Sequence, residues 1–303
     1  MSESKVRISV IVPGFGSRRA EALAAAAHLR AGLAGLAAEV LVPDGVNVAA
    51  ARNHGLAAAA GDWIAWVDAD DEIFPEWFAL VRRVAAGAYD VDCVLLAYAL
   101  IFPDGRRREI PRQKCRAPSE LLGELLAENQ GCYCWDKIIR RDCWRDLRFD
   151  ESAAVLEDAL LVPQLVRRVR TLAFAPEIAY GYVVNPGGLL QSDPFGATAE
   201  SVVRIALCRA ADWSQTEFAR AAELGAAKLS LDYLERFVLA RRRPGAFASV
   251  PRRFIRRRLW TLLTGGCGWR LKVKFVCAAL GCWWPQRLAW RWHRVKTAAE
   301  GER

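Results

Sequence analysis

The sequence predicts an α/β protein: a mostly parallel sheet flanked by helices, followed by a helical C-terminal extension. Three observations predict it. Short apolar runs alternate with alanine- and leucine-rich segments over the first third of the chain. Each run ends in a cluster of Gly, Pro or Asp, the residues that turn a chain out of a sheet. From Thr198 onward the pattern is mostly helical.

The elements follow in order. Val6 to Val12 is a buried strand, closed by Pro13-Gly14-Phe15-Gly16. Arg19 to Ala38 reads as a helix that Gly32 and Gly35 weaken. Glu39 to Val42 is a second strand, stopped by Pro43-Asp44-Gly45. Asn47 to Ala60 is a second helix ending at Gly61. Asp62 to Val67 is a third strand that runs into Asp68-Ala69-Asp70-Asp71. Pro75 to Ala86 is a helix with proline in its first turn. Val91 to Phe102 is a long strand turning at Pro103-Asp104-Gly105. Beyond Pro111, Ser119–Asn129 and Glu157–Arg168 read as helices, Val169–Phe174 and Ile178–Val184 as short strands, and Asn185–Ser192 as a loop. In parallel α/β sheets ligands bind beyond the carboxyl ends of the strands. Three such ends carry Phe15, Asp44 and the Asp68–Asp71 cluster, so one crevice can gather them.

Composition narrows the class. The 303 residues are 53% hydrophobic and 25% charged, a globular balance that excludes a disordered chain. No apolar run reaches the roughly 20 residues of a membrane-spanning helix. Residues 1–12 lack the long apolar stretch of a secretory signal. The nine cysteines are scattered, and Cys132 and Cys134 have the wrong spacing for a zinc knuckle, so reduced thiols in a cytoplasmic protein are expected. The net charge of +9 is unevenly placed: residues 241–303 carry sixteen Lys and Arg against Glu300 and Glu302, while the body is net acidic.

Asp68 and Asp70, two residues apart at a strand end, can face one hard cation, Mg²⁺ or Mn²⁺, which completes its shell with phosphate and water oxygens. An acidic turn ahead of the helix at Pro75 accounts for the same residues without a metal. Glu157 and Asp158, at a predicted helix start, equally suit the helix dipole alone.

Five segments occur in a telling order: SVIVPGFG, VPDG, ARNHGL…GDWIAWVDADD…P, WDKIIRR and LEDALL. Together they resemble family 2 glycosyltransferases over roughly residues 5–185, the stretch from Ala51 to Pro75 being the most specific. The resemblance implies a GT-A fold, an inverting transfer from a nucleotide sugar (a UDP sugar first among them) and a divalent metal, Mn²⁺ or Mg²⁺. Under it, Pro13 and Phe15 line the nucleotide, with Phe15 stacking on the base. Asp44 accepts a hydrogen bond from the base, although Pro43 and Val46 depart from the family's pattern around it. Arg52 lies near the phosphates or organises the acid cluster, and Asn53 is structural. Asp68 meets the ribose or the metal shell, and Asp70 ligates the metal. Asp158 is the general base, and Glu157 orients it or binds the acceptor. Trp135 offers a flat surface to an acceptor sugar and Lys137 a charge, while Asp136 replaces the family's usual Asn. Gly187-Gly188 stand where the family often has an arginine-bearing lid.

The resemblance divides the chain into a nucleotide-sugar half (1–110), an acceptor half (111–195) and a basic, Trp-rich helical extension (196–303). The implied acceptor is a glycan or lipid-linked glycan. A nucleotidyltransferase acting on a sugar phosphate, or an idle scaffold, remain alternatives. The tail interleaves Arg and Lys with Trp, Phe and Leu, as helices lying in a membrane interface do. A peripheral position on the inner face of the cell membrane is therefore expected, and no nucleic-acid partner. Packing of the tail on the body would account for the same tryptophans.

Overall fold

The protein is described here by a computed structural model covering residues 8–112, 115–153, 155–185, 188 and 193–282. Residues 6–7 of the first predicted strand, most of the 185–192 loop and the 283–303 segment lie outside the described residues. The chain divides into two compact units, residues 1–125 with 131–188, and residues 126–130 with 189–303.

The first unit is built on one large mixed sheet. Its strands are β1 (Ile8–Ile11), β3 (Ala38–Leu41), β5 (Trp63–Trp66), β6 (Glu72–Ile73), β7 (Cys93–Ile101), β8 (Arg107–Ile110), β9 (Lys137–Arg140) and β10 (Leu172–Val183). They lie in the order β3-β1-β5-β9-β7-β10-β6, with β8 hairpinned onto β7. β3, β1 and β5 run parallel, as do β7 and β10; β9 is antiparallel to both neighbours. A separate two-residue ladder joins β2 (Gly14–Phe15) to β4 (Asp44–Gly45). The flanking helices are α1 (Arg19–Gly32), α2 (Val48–Ala58), α3 (Pro75–Ala85), α4 (Pro118–Leu126) and α5 (Glu157–Val166).

The strands form because both faces are covered. Every residue of β1 and β5 is buried, which rewards continuous apolar runs over alternation. Helix α1 stops at Gly32, six residues before the position the composition suggests. Gly35 adopts φ +79°, a left-handed turn that carries the chain out of the helix, while Gly32, where a β-carbon would lie 2.2 Å from the Phe78 ring, makes room for that ring. The two strands expected at 169–184 are one strand, β10, carrying register irregularities between Ala175 and Tyr180. Pro176 falls there, and proline, which has no N–H for a ladder, is tolerated at a bulge.

The second unit is helical: α6 (Ala197–Asp212), α7 (Ala219–Leu239), α8 (Ser249–Thr264) and α9 (Trp269–Leu280). Val203, Leu231, Leu234, Phe237, Ile255 and Phe275 form its core. Arg209 is buried in this unit and paired to Glu128.

Candidate active site

The β2–β4 ladder places Phe15 beside Gly45 and Gly14 beside Asp44. Gly14 N–H donates to the Pro43 carbonyl at 3.0 Å, so Pro43, though it lacks a side-chain acid, fixes this edge through its backbone. Pro13 is buried and Phe15 half-buried. Helix α2 begins immediately after, capped by Asn47, whose Oδ1 accepts from Ala50 N–H at 2.8 Å. Gly45 lets the helix approach, since a β-carbon there would sit 2.4 Å from Ala51 N.

The first turn after β2 delivers two arginines that the motif reading overlooked. Arg18 donates to Asp70 Oδ2 at 2.8 Å, and Arg19 pairs with Asp44 Oδ2 at 2.9 Å. Consecutive side chains thus tie the turn at the end of β4 to the acidic end of β5. Their signal was present as a basic pair directly after a Gly-rich turn.

Arg52, on α2, is the site's internal cation. It is 4% exposed, bonds Glu157 Oε1 through Nη1, and donates to Asp68 Oδ1 at 3.2 Å through Nη2. Its guanidinium also lies over the rings of Phe149 and Trp66, at 5.5 and 5.9 Å. Burial works against its charge, but Glu157 and Asp68 more than reverse that and hold its pKa above the usual arginine value. Asn53 plays a framework part: its amide donates to the Phe149 carbonyl and to Glu151, and its oxygen accepts from Phe149 N–H at 2.8 Å.

The acids at the end of β5 have separate partners. Asp71 accepts from Tyr180 Oη at 2.7 Å and from Val183 N–H at 2.8 Å, so it ties to β10 and does not cap α3. Tyr180 Oη in turn accepts from Asp68 N–H at 3.0 Å. Burial, then Asp68, pushes the Asp71 carboxyl up to about 8. Burial also raises Asp68.

Helix α5 starts from Leu156, a non-glycine residue at φ +58°, a conformation costing roughly 1–2 kcal/mol. This turn aims Glu157 and Asp158 at Arg52 and Asp68. Asp158 is half-buried, and its Oδ1 accepts from Ala159 N–H at 2.8 Å. Burial, then the neighbouring Glu157, pushes its carboxyl up to about 7, while Arg52 opposes the rise.

Trp135 and Lys137 take other places than open display to an acceptor. Trp135 is buried in an aromatic stack, 4.5 Å from Tyr180 and 4.8 Å from Tyr133, with Tyr182 at 5.6 Å. Lys137 Nζ is buried on Asp136 Oδ1 at 2.5 Å and the Tyr133 carbonyl at 2.8 Å. Asp136 also takes Arg112, so this acid stands between two buried cations. The half-buried Tyr133 and Tyr182 rings stack on each other at 6.1 Å. Tyr182 lies in the field of Asp71, Asp68, Asp70 and Asp158, which adds to its burial in pushing its phenol up to about 12. Arg52 and Tyr180 therefore link Asp68, just beyond β5, to Glu157 beside Asp158 and to the aromatic stack on Trp135.

Among the described residues no group of three or more His, Cys, Asp or Glu gathers as a ready-made metal cage. The donor set still suits a hard cation. Asp68 and Asp70 are partly exposed carboxylates, and Mg²⁺ or Mn²⁺ commonly takes one or two such ligands and fills its shell with phosphate and water.

A layered α/β sheet with an Asp-x-Asp at the end of an inner strand is a GT-A fold. Residues 35–145 match the family Glycosyl transferase family 2. Minor teichoic acid biosynthesis protein GgaB of Bacillus subtilis (strain 168) is 27% identical over 143 residues, covering 47% of this chain and 16% of that protein. Succinoglycan biosynthesis protein ExoO of Rhizobium meliloti (strain 1021) is 27% identical over 150 residues, covering 46% of this chain and 42% of that protein. The chain thus spans less than half the length of either relative. Among solved structures, S. aureus TarS 1–349 in complex with UDP-GlcNAc superposes with a TM-score of 0.60 at 16% identity, covering 91% of this chain and 88% of that one. At that identity the likeness concerns the fold.

Proposed function

We propose that the protein transfers a sugar from a nucleoside-diphosphate sugar, a UDP sugar first among them, to a hydroxyl of a glycan or lipid-linked glycan, with inversion at the anomeric carbon. The observation that carries this reading is Arg52, which binds Asp68 at the end of β5 and Glu157 at the start of α5 at once. A donor-side acid and the helix bearing the proposed base are thereby one rigid assembly, as a single displacement between two bound substrates requires. The fold match to a UDP-GlcNAc complex supports the donor class.

In this reading Phe15 stacks on the base, Pro13 backs it and Asp44 accepts its N–H. Asp68 meets the ribose, and Asp70 with Asp68 would hold a divalent cation. That ion, when bound, neutralises charge on the departing diphosphate. Arg18, released from Asp70, supplies a guanidinium to the same phosphates. Asp158 takes the proton of the acceptor hydroxyl as its oxygen attacks the anomeric carbon; the C–O bond to the diphosphate breaks, and the electron pair leaves with the phosphate oxygen. Glu157 is a poor candidate for this role because Arg52 already holds its carboxylate. Trp135 backs Tyr133 and Tyr182, which present their rings to the acceptor sugar, and Lys137 holds that wall through Tyr133 and Asp136.

A thermal-shift panel of nucleotide sugars, with and without Mn²⁺, tests the reading. A ligand at 100 times its Kd stabilises the native state by about 2.7 kcal/mol. One donor should raise Tm in a metal-dependent way, and free nucleoside diphosphate should then appear on adding acceptor. Pyrophosphate release from a nucleoside triphosphate would replace this reading with nucleotidyl transfer.

A further inference from the structure

The hairpin of α8 and α9 presents an outer face that the described residues of the helical unit leave uncovered. Trp269, Val273, Val276 and Leu280 follow one another at helical spacing along α9, with Trp269 71%, Val273 45% and Leu280 72% exposed. Arg253, Arg257 and Trp260 form the matching stripe on α8, Trp260 being 78% exposed. Both stripes lie opposite the residues that enter the core, Ile255 and Leu262 on α8 and Phe275 and Ala278 on α9. Arg256 joins the two helices by donating to the Ala279 carbonyl at 2.9 Å.

Charge decides what fits this face. Neither helix contains an Asp or Glu. Arg258 and Lys274 turn to Glu223 and Glu235 on α7, at 2.5 and 3.0 Å. Arg253, Arg257, Arg270 and Lys272 have no acidic partner among the described residues. A second copy of the face would set like charges against each other. The 283–303 segment, with five Lys and Arg against Glu300 and Glu302, adds further positive charge. A polynucleotide would satisfy the cations but gives Val273 and Leu280 nothing to bury against. An anionic bilayer surface satisfies both, taking tryptophans and aliphatics at headgroup depth and pairing the cations with lipid phosphates.

We infer that the α8–α9 outer face docks on anionic membrane surface, with Trp260 and Trp269 as its anchors. The inference does not rest on the sugar-transfer reading, because no residue of the acid crevice takes part. The test is co-sedimentation of the full chain with vesicles of phosphatidylglycerol and phosphatidylcholine, against vesicles of phosphatidylcholine alone. Expected is binding to the charged vesicles only, weakened by salt. The pair Trp260→Ala with Trp269→Ala should lose at least fivefold in affinity while keeping its circular dichroism and Tm. The pair Arg253→Glu with Arg257→Glu should lose more than about tenfold, since each cation near such a surface contributes about 1 kcal/mol. Wild-type binding by the tryptophan pair overturns the assignment to this face. So does equal binding to neutral vesicles, RNA binding that charged vesicles fail to compete, or a dimer that the tryptophan pair breaks.

Discussion

Two neighbouring carboxylates begin α5, and their surroundings separate them. Glu157 is held by Arg52, whereas Asp158 takes one backbone N–H and a carboxyl pushed up to about 7 by burial and by Glu157. A base must be ionised to accept a proton, so kcat should rise with pH and level off above about 7. Asp158→Asn should lower kcat by about 10²–10⁴ and leave donor affinity intact, measured by steady-state kinetics and calorimetry. The same group makes a stability prediction. Between its ordinary value of 3.8 and about 7 the folded chain holds a proton that the unfolded chain has released, so stability falls as pH rises through that window. Asp158→Asn should therefore raise Tm at pH 8 relative to wild type and not at pH 4; an unchanged Tm difference across that range would refute the charge crowding. Asp136 plays a structural part. Its carboxylate separates Arg112 from Lys137 inside the fold, which explains an acid where an Asn was expected. Asp136→Asn leaves two buried cations with a neutral partner and should cost about 3 kcal/mol or more in denaturant unfolding.

At the scale of elements, legibility followed burial pattern. β1, β5 and β7 are uncharged apolar runs, buried over all or most of their length, and α2 and α3 carry an Asn cap and an N-terminal proline, so each announces itself. β9 did not. As short as β1 and β5, it runs from Lys137 to Arg140 with charges at both ends, and only its seat between β5 and β7 makes it a strand. The Asp68–Asp71 cluster could be read because it ends a visible strand. Tyr180 and Tyr182 could not be assigned to the site, because they reach it on β10, which pairs with β6 and β7 and lies more than a hundred residues downstream of Asp68. Arg18 and Arg19 showed only as a basic pair after a Gly-rich turn, and their acidic partners depend on where the β2–β4 ladder puts the chain. That ladder supplies a test of the donor pocket. Gly45→Ala would press a methyl to 2.4 Å from Ala51 N. Overpacking of this kind costs about 1–3 kcal/mol. It should shift α2 and weaken donor binding measured by calorimetry, while kcat at saturating donor changes less.

Across the whole molecule, chemistry and charge are divided between the two units. The body is net acidic and holds the proposed transfer site; the basic, tryptophan-bearing surface belongs to the helical unit. A lipid-linked acceptor would then be concentrated by the second unit and consumed by the first, an effect of effective concentration that needs no new contact at the active site. Salt separates the two contributions, because exposed charges are screened within about 10 Å at 0.1 M and about 3 Å at 1 M, while buried pairs such as Arg52 with Glu157 are screened far less. Transfer to a lipid-linked acceptor in phosphatidylglycerol vesicles should fall steeply as salt rises, and hydrolysis of the soluble donor should change little. The Trp260→Ala and Trp269→Ala pair should lower the first rate and spare the second. Equal loss of both rates with salt would locate the sensitive charges in the acid crevice and remove the helical unit from the account of acceptor capture.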